Sequence, residues 1–161
     1  MSRLSDEPYL RGVPVRPGPG AWKRMTTEQE TGLVVVVAAV VEQADRVLVT
    51  ERPSGTHLGG YWEFPGGKAE PGETHEQCLE REMREELGVV VEVGGELLAT
   101  RFVYPDRIVE LHFHRCVLGG EPTPMLGQRM RWVSRSELGA LRFPPADREL
   151  VALLARGSSR Q

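Results

Sequence analysis

Three glutamates, Glu82, Glu85 and Glu86, lie within the stretch THEQCLEREMREEL at i, i+3 and i+4. That spacing gathers them on one side of a helix, where like charges cost about 0.2–0.5 kcal/mol per pair unless a cation lies between them. Clustered carboxylate oxygens suit Mg²⁺, or Mn²⁺, which keep several waters and share the phosphate oxygens of a substrate. The plain alternative is a solvated acidic face, with Arg81 and Arg84 supplying local ion pairs. The residues upstream decide between the two. Pro65-Gly66-Gly67 is a tight turn whose backbone, free of side chains, can approach an ion or phosphate closely. A turn of that kind just before a carboxylate helix adds a backbone carbonyl to the donor set.

Residues 67–89 resemble the Nudix signature, which runs Gly, five residues, Glu, seven residues, then Arg-Glu-apolar-any-Glu-Glu-any-Gly-apolar. Gly67, Glu73, Arg81, Glu82, Met83, Glu85, Glu86, Gly88 and Val89 fill every fixed position. With Gly, Glu and Arg each at roughly 5–7% of residues, chance supplies such a match on the order of once in 10⁹ starts. The resemblance implies an α/β protein, an α/β/α sandwich with a mixed sheet. It makes Glu82, Glu85, Glu86 and the main-chain carbonyl of Gly66 the metal ligands. Glu82 also orients or deprotonates the attacking water, and Arg81 holds the carboxylates, through Glu73. The reaction it implies is attack of water on a phosphorus of a diphosphate linkage, with metal offsetting charge and lowering the pKa of bound water.

Outside the signature, residues 32–155 resemble the MutT-type branch, which converts nucleoside triphosphates to the monophosphate and pyrophosphate. Thr50, Arg52, His57, Glu63 to Lys68, Pro105-Asp106-Arg107, Gln128, Trp132 and Phe143 to Ala146 stand where that branch has the same residue. The correspondence implies phosphate contacts from Arg52, His57 and Arg107, the arginines through a planar fork suited to phosphate oxygens. It sets Phe64 and Tyr104 against the base or sugar. Core packing is the competing account of these aromatics, as it is for Trp132, and an exposed loop is the competing account of His57. His112 and His114 alternate with apolar residues and read as structural.

Two positions depart from the branch. An acidic ligand carried by the bacterial antimutator enzymes before Gly127-Gln128 is Leu126 here, leaving Glu70, Glu73 and Glu110 as candidates to substitute. Asp147 stands where 8-oxoguanine enzymes often place Asn. Ionised Asp only accepts hydrogen bonds, which suits the exocyclic amine of cytosine; a buried, protonated Asp also donates, which suits a guanine carbonyl. Capping of the terminal helix is a third account of Asp147. The expected activity is therefore Mg²⁺-dependent pyrophosphohydrolysis of modified dNTPs, 8-oxo-dGTP first, with dCTP or 5-methyl-dCTP as the alternative. A non-catalytic nucleotide sensor is the alternative of another class, disfavoured because every signature carboxylate is present.

These residues need a scaffold, and the pattern supplies one. Leu33–Val41 is a continuous β-branched run, the mark of a strand covered on both faces. Arg46–Glu51 follows after a short polar turn. Thr74 is placed to cap a helix ending at Leu87, with Gly88 to stop it, and Cys78, Leu79, Met83 and Leu87 form its apolar stripe. Val89–Val93, Glu96–Val103 and Ile108–Leu118 read as strands, the last two joined at Tyr104-Pro105-Asp106. Arg131–Val133 reads as a short strand, Ser136–Ala140 as a short helix, and Pro145–Arg156 as a terminal helix with Pro in its first turn.

One Nudix domain is expected over residues 31–157, preceded by a flexible arm over 1–30 and followed by a tail over 158–161. Met25 is a candidate alternative start. Of 161 residues, 40% are apolar and 27% charged, ordinary for one globular domain. A net charge of -3 and 6% aromatics speak against a nucleic-acid polymer as partner. The run Leu33–Val41 falls far short of the ~20 residues of a membrane span, and residues 1–20 lack the apolar core of a secretory signal. Cys78 and Cys116 read as small buried residues of a reducing compartment. The expectation is a cytoplasmic monomer or homodimer acting on a small nucleotide.

Overall fold

The computed structural model describes residues 13–15, 32–55 and 58–158. His57, Met25 and residues 159–161 fall outside them, as does most of the segment expected to form an N-terminal arm. Within that segment β1 (Val13–Val15) pairs antiparallel with Arg101–Val103.

The β-branched run becomes β2 (Leu33–Gln43), and a turn at Ala44 leads into β3 (Arg46–Glu51). Two short strands, β4 (Trp62–Glu63) and β5 (Gly66–Lys68), follow, and then the helix α1 (His75–Leu87). β6 (Val91–Tyr104) and β7 (Arg107–Leu118) make a long hairpin, and β8 (Arg129–Ser134) returns along β3. The sheet runs β1-β6-β7-β2-β3-β4, with β5 on β2 and β8 on β3. β2 lies parallel to β7 from Leu33↔Ile108 to Val41↔Cys116, while the other described pairs are antiparallel. The second edge of β2 is divided: residues 36–38 pair with β5, and only Glu42 and Gln43 pair with β3. This division opens the sheet beside the glycine turn.

Side chains alternate across β2, so both faces are buried. Val37, Ala39 and Val41 pack with Cys78, Leu79, Met83 and Leu87 of α1. Val36, Ala38 and Val40 pack on the other face with Leu138, Leu150 and Leu154. These come from a 3₁₀ turn (Arg135–Ala140) and α2 (Arg148–Ser158). Helices on both faces of a mixed sheet are the expected α/β/α sandwich. Each buried leucine contributes about 1.5–3 kcal/mol by leaving water.

α1 begins and ends where its residues dictate. Thr74 accepts from the Gln77 amide while the Gln77 side chain accepts from the Thr74 amide, a reciprocal cap that satisfies two otherwise unpaired N–H groups. Gly88, at φ 59°, closes the helix by donating to Arg84; that left-handed conformation suits glycine.

Three expectations are corrected. The strands at Val89–Val93 and Glu96–Val103 are one strand, β6, because register irregularities on either side of Glu96 absorb Gly94-Gly95 without ending the pairing with β7. The terminal helix opens as a 3₁₀ turn, Pro145–Asp147, before α2. β4 and β5 were not expected, since two or three residues between glycines and prolines carry no periodic signal. Cys78 and Cys116 are buried free thiols, pushed up by burial to about 11 and about 12. Among the described residues no helix is long and apolar enough to cross a membrane.

Candidate active site

The site starts at the Pro65–Gly67 turn. Pro65 accepts from the Ala39 amide at 2.8 Å, and Gly66 lies beside Ala38 in register. A Cβ on Gly66 would stand 2.1 Å from the Val37 carbonyl oxygen, and one on Gly67 would stand 2.5 Å from the carboxylate of Glu82. The first glycine lets the turn press onto β2. The second lets Glu82 rest against bare backbone.

Arg81 organises the acids. Its Nε and Nη2 clasp both oxygens of Glu73 at 2.8 and 3.0 Å. Nη1 donates to Glu82 at 2.8 Å and to Glu85 at 3.4 Å, and Nη2 also donates to the Lys68 carbonyl at 3.0 Å. The guanidinium holds Glu73 down to about 2, aided by the Glu70 amide. Arg81 thus fixes one oxygen of Glu82 and one of Glu85.

Glu86 stands on the far side of this group. Burial, then the charges of Glu63 and Glu82, push its carboxyl up to about 9, against a hydrogen bond from the Gly66 amide that favours the ionised form. A nearby positive charge would favour the ionised form of all three acids. The Glu86 carbonyl accepts from Gln128 Nε2 and from the Met125 amide, both at 2.9 Å, and Gln128 Oε1 accepts from the Leu126 amide at 2.8 Å. These bonds bring Leu126 to a cleft that it lines together with Arg52, Glu63 and Glu86.

Beside Glu86 lies a cavity of about 260 Å³ lined by Arg52, Glu63, Phe64, Lys68, Glu86 and Asp147, among others. Arg52 reaches Glu63 at 3.7 Å. Asp147 is buried at 8% exposure, and burial, then the charge of Glu63, raises its carboxyl well above the usual range. Its backbone amide donates to the Pro144 carbonyl within the 3₁₀ turn. Phe64 stacks on Phe143 at 5.4 Å and meets the edge of Phe113 at 5.9 Å, so it is core that also walls the cavity. Trp132 packs on the α1 side of the core.

Not every expected residue joins them. Tyr104 and Arg107 pair across the hairpin end and lie outside the cavity lining. Arg107 is four residues from the cavity residue Leu111, roughly 13 Å along the strand. Glu110, a candidate to replace the missing acid, is committed to an ion pair with Arg101 and to His112. Glu63 received no role from the sequence, although it stands among Arg52, Glu86 and Asp147. Its signal in the sequence was its place in the run Glu63 to Lys68 shared with the MutT-type branch; its pairing with Thr50 of β3 comes from the register of β4.

The donor set fits a small divalent cation: oxygen donors only, with the Glu82 carboxylate seated against Gly67, where any Cβ would displace it. With an arginine and a buried acid in the adjoining cavity, the arrangement can hold an anionic ligand at its phosphates and read a polar group beyond them.

Known proteins resemble this chain in sequence and fold. A family model described as NUDIX domain covers residues 36–153. The CTP pyrophosphohydrolase of Escherichia coli K12 is 38% identical over 122 residues, 74% of this chain and 89% of that protein. The 8-oxo-dGTP diphosphatase of the same organism is 34% identical over 125 residues, 77% of this chain and 97% of that protein. Among solved structures, the E. coli ORF135 protein superposes with a TM-score of 0.72 at 34% identity, covering 81% of this chain and 95% of that one. The similarity runs through the carboxylate helix and the strands on both sides of it, and the chain belongs to the Nudix hydrolase family.

Proposed function

We propose that this protein is a Mg²⁺-dependent nucleoside triphosphate pyrophosphohydrolase that cleanses the nucleotide pool, releasing monophosphate and pyrophosphate, with 8-oxo-dGTP as preferred substrate. The observation that carries this reading is that Arg81 gathers Glu82 and Glu85 while Glu86 of the same helix lines a cavity together with the buried Asp147. Glu82, Glu85, Glu86 and the Gly66 carbonyl would hold Mg²⁺, Mn²⁺ being the alternative. Bound there, the ion neutralises phosphoryl charge and acidifies bound water. Glu82, kept in place by Arg81, orients the attacking water and takes its proton. Arg52 meets the phosphates together with His57, and Phe64 flanks the base.

Asp147 favours oxidised guanine because burial shifts its carboxyl toward the protonated form, which can donate to a carbonyl oxygen. A second reading, preference for dCTP or 5-methyl-dCTP, is favoured by the 38% identical CTP pyrophosphohydrolase. Turnover in Mg²⁺ with 8-oxo-dGTP, dGTP, dCTP and 5-methyl-dCTP separates the two. A higher kcat/KM for 8-oxo-dGTP supports the first, a higher value for the cytosine substrates the second, and binding without turnover would instead make the chain a nucleotide sensor. The buried, unbonded Cys78 and Cys116 suit a cytoplasmic setting.

A further inference from the structure

Three of the four histidines of this chain converge where the proposed reaction uses none of them. His75 is the first residue of α1, seven to eleven residues before Glu82 and Glu86, or about 10–17 Å along the helix axis. His112 and His114 are alternate residues of β7, and Glu96 lies directly across from His114 on β6. His114 Nε2 is 3.0 Å from His75 Nδ1 and 3.8 Å from Glu96 Oε1. One donor atom from each of His75, Glu96 and His114 lies within 4.8 Å of the others.

The surrounding bonds orient these donors. His114 Nδ1 meets the Gly94 carbonyl at 3.2 Å; a carbonyl only accepts, so Nδ1 carries the proton and the neutral ring leaves a lone pair on Nε2. A ring nitrogen tied to a backbone carbonyl, with the other left bare, is the usual preparation of a histidine ligand. Glu96 is held by His112 Nδ1 at 2.6 Å, and His112 Nε2 is within 3.2 Å of Glu110, itself paired with buried Arg101. A hydrogen bond between His75 and His114 accounts for the 3.0 Å approach, and His112 holds the Glu96 carboxylate beside the same two rings. Ligand atoms around a tetrahedral Zn²⁺ at ~2.0–2.2 Å stand roughly 3.3 Å apart, between the 3.0 and 3.8 Å seen here.

We propose that His75, His114 and Glu96 form a second metal site, selective for Zn²⁺ and similar transition metals, with water in the fourth position. Two imidazoles and one carboxylate prefer such ions to Mg²⁺, so this site is chemically distinct from the all-oxygen group on the same helix. It ties the start of α1 to the β6–β7 hairpin, and a metal that binds only the folded chain stabilises it.

The test titrates the metal-free full-length chain with Zn²⁺, and with Co²⁺ as a visible-absorbing probe, in excess Mg²⁺. One equivalent should bind, raise the melting temperature and give the intense visible bands of tetrahedral Co²⁺. His114→Ala and Glu96→Gln should lose that binding, whereas Glu85→Gln should keep it. In the wild-type chain, ¹⁵N spectra of the imidazoles should show His75 Nδ1 and His114 Nε2 shifting on Zn²⁺ addition, a readout that needs no variant to fold. Unmoved imidazole signals, undiminished binding by His114→Ala, or loss of binding in Glu85→Gln would each overturn the proposal.

Discussion

Arg81 grips Glu73 through two nitrogens at 2.8 and 3.0 Å, eight residues back along the chain, and uses its remaining nitrogen on Glu82 at 2.8 Å. One planar cation therefore sets the position of the helix relative to the loop that precedes it. Lysine offers a single charged point and cannot make both contacts. Arg81→Lys should lower kcat by about 10–100-fold, the usual scale for losing a residue that orients a ligand, with KM for the nucleotide little changed. Steady-state kinetics would check this, and an unchanged kcat would contradict it.

The same pair gives the protein an acid-sensitive contact. Glu73 falls from its ordinary 4.5 to about 2 in the folded chain, chiefly through Arg81. A depressed carboxylate stabilises the fold fully above its unfolded pKa and loses that contribution as pH falls toward the folded value. The melting temperature of the wild type should exceed that of Glu73→Gln by a constant margin above about pH 5. That margin should shrink between pH 4.5 and pH 2. A margin independent of pH across that window would show that the ion pair does not form.

Two adjacent glycines should fail in different ways. A methyl group on Gly66 meets the Val37 carbonyl at 2.1 Å and the Ala38 Cα at 2.7 Å, both backbone, whereas one on Gly67 meets only the end of Glu82 at 2.5 Å. Gly66→Ala should destabilise the fold by about 3 kcal/mol or more, as severe overpacking does. Gly67→Ala should melt near the wild type yet lose most activity, because Glu82 is pushed aside. Equal loss of stability in both variants would refute the distinction.

Asp147 should read the base through its proton. Because burial raises its carboxyl well above the usual range, the donating form persists to higher pH than in an ordinary carboxylate and is lost as pH rises. Preference for 8-oxo-dGTP over dCTP should then fall with rising pH in the wild type. Asp147→Asn, a permanent donor, should hold that preference steady and shift the ratio of kcat/KM toward 8-oxo-dGTP by roughly tenfold at alkaline pH, the scale of one buried hydrogen bond. A ratio unmoved by both pH and substitution would remove Asp147 from base recognition.

Local structure was legible wherever the deciding partners were close in sequence. Thr74, Gln77 and Gly88 bound α1, and the stripe from Cys78 to Leu87 told which side is buried. The three glutamates needed only helical spacing to share a face. Long-range register was hidden. Glu63 reaches the acids because β4 pairs with β3, and the histidine cluster exists because β7 brings alternate residues beneath a helix start 39 positions away from His114. A strand shows that His112 and His114 share a face, but not what that face meets. Gly94 and Gly95 read as a break because glycine usually weakens a strand; here the long β7 partner carries the pairing past them.

The most direct test identifies the bond that is cut. Wild-type protein is incubated with 8-oxo-dGTP and Mg²⁺, the products are separated by ion exchange, and the reaction is repeated with Glu82→Gln. The account predicts nucleoside monophosphate and pyrophosphate in equal amounts, with kcat collapsing in the folded variant. Release of orthophosphate and diphosphate, or undiminished turnover by Glu82→Gln, would contradict it.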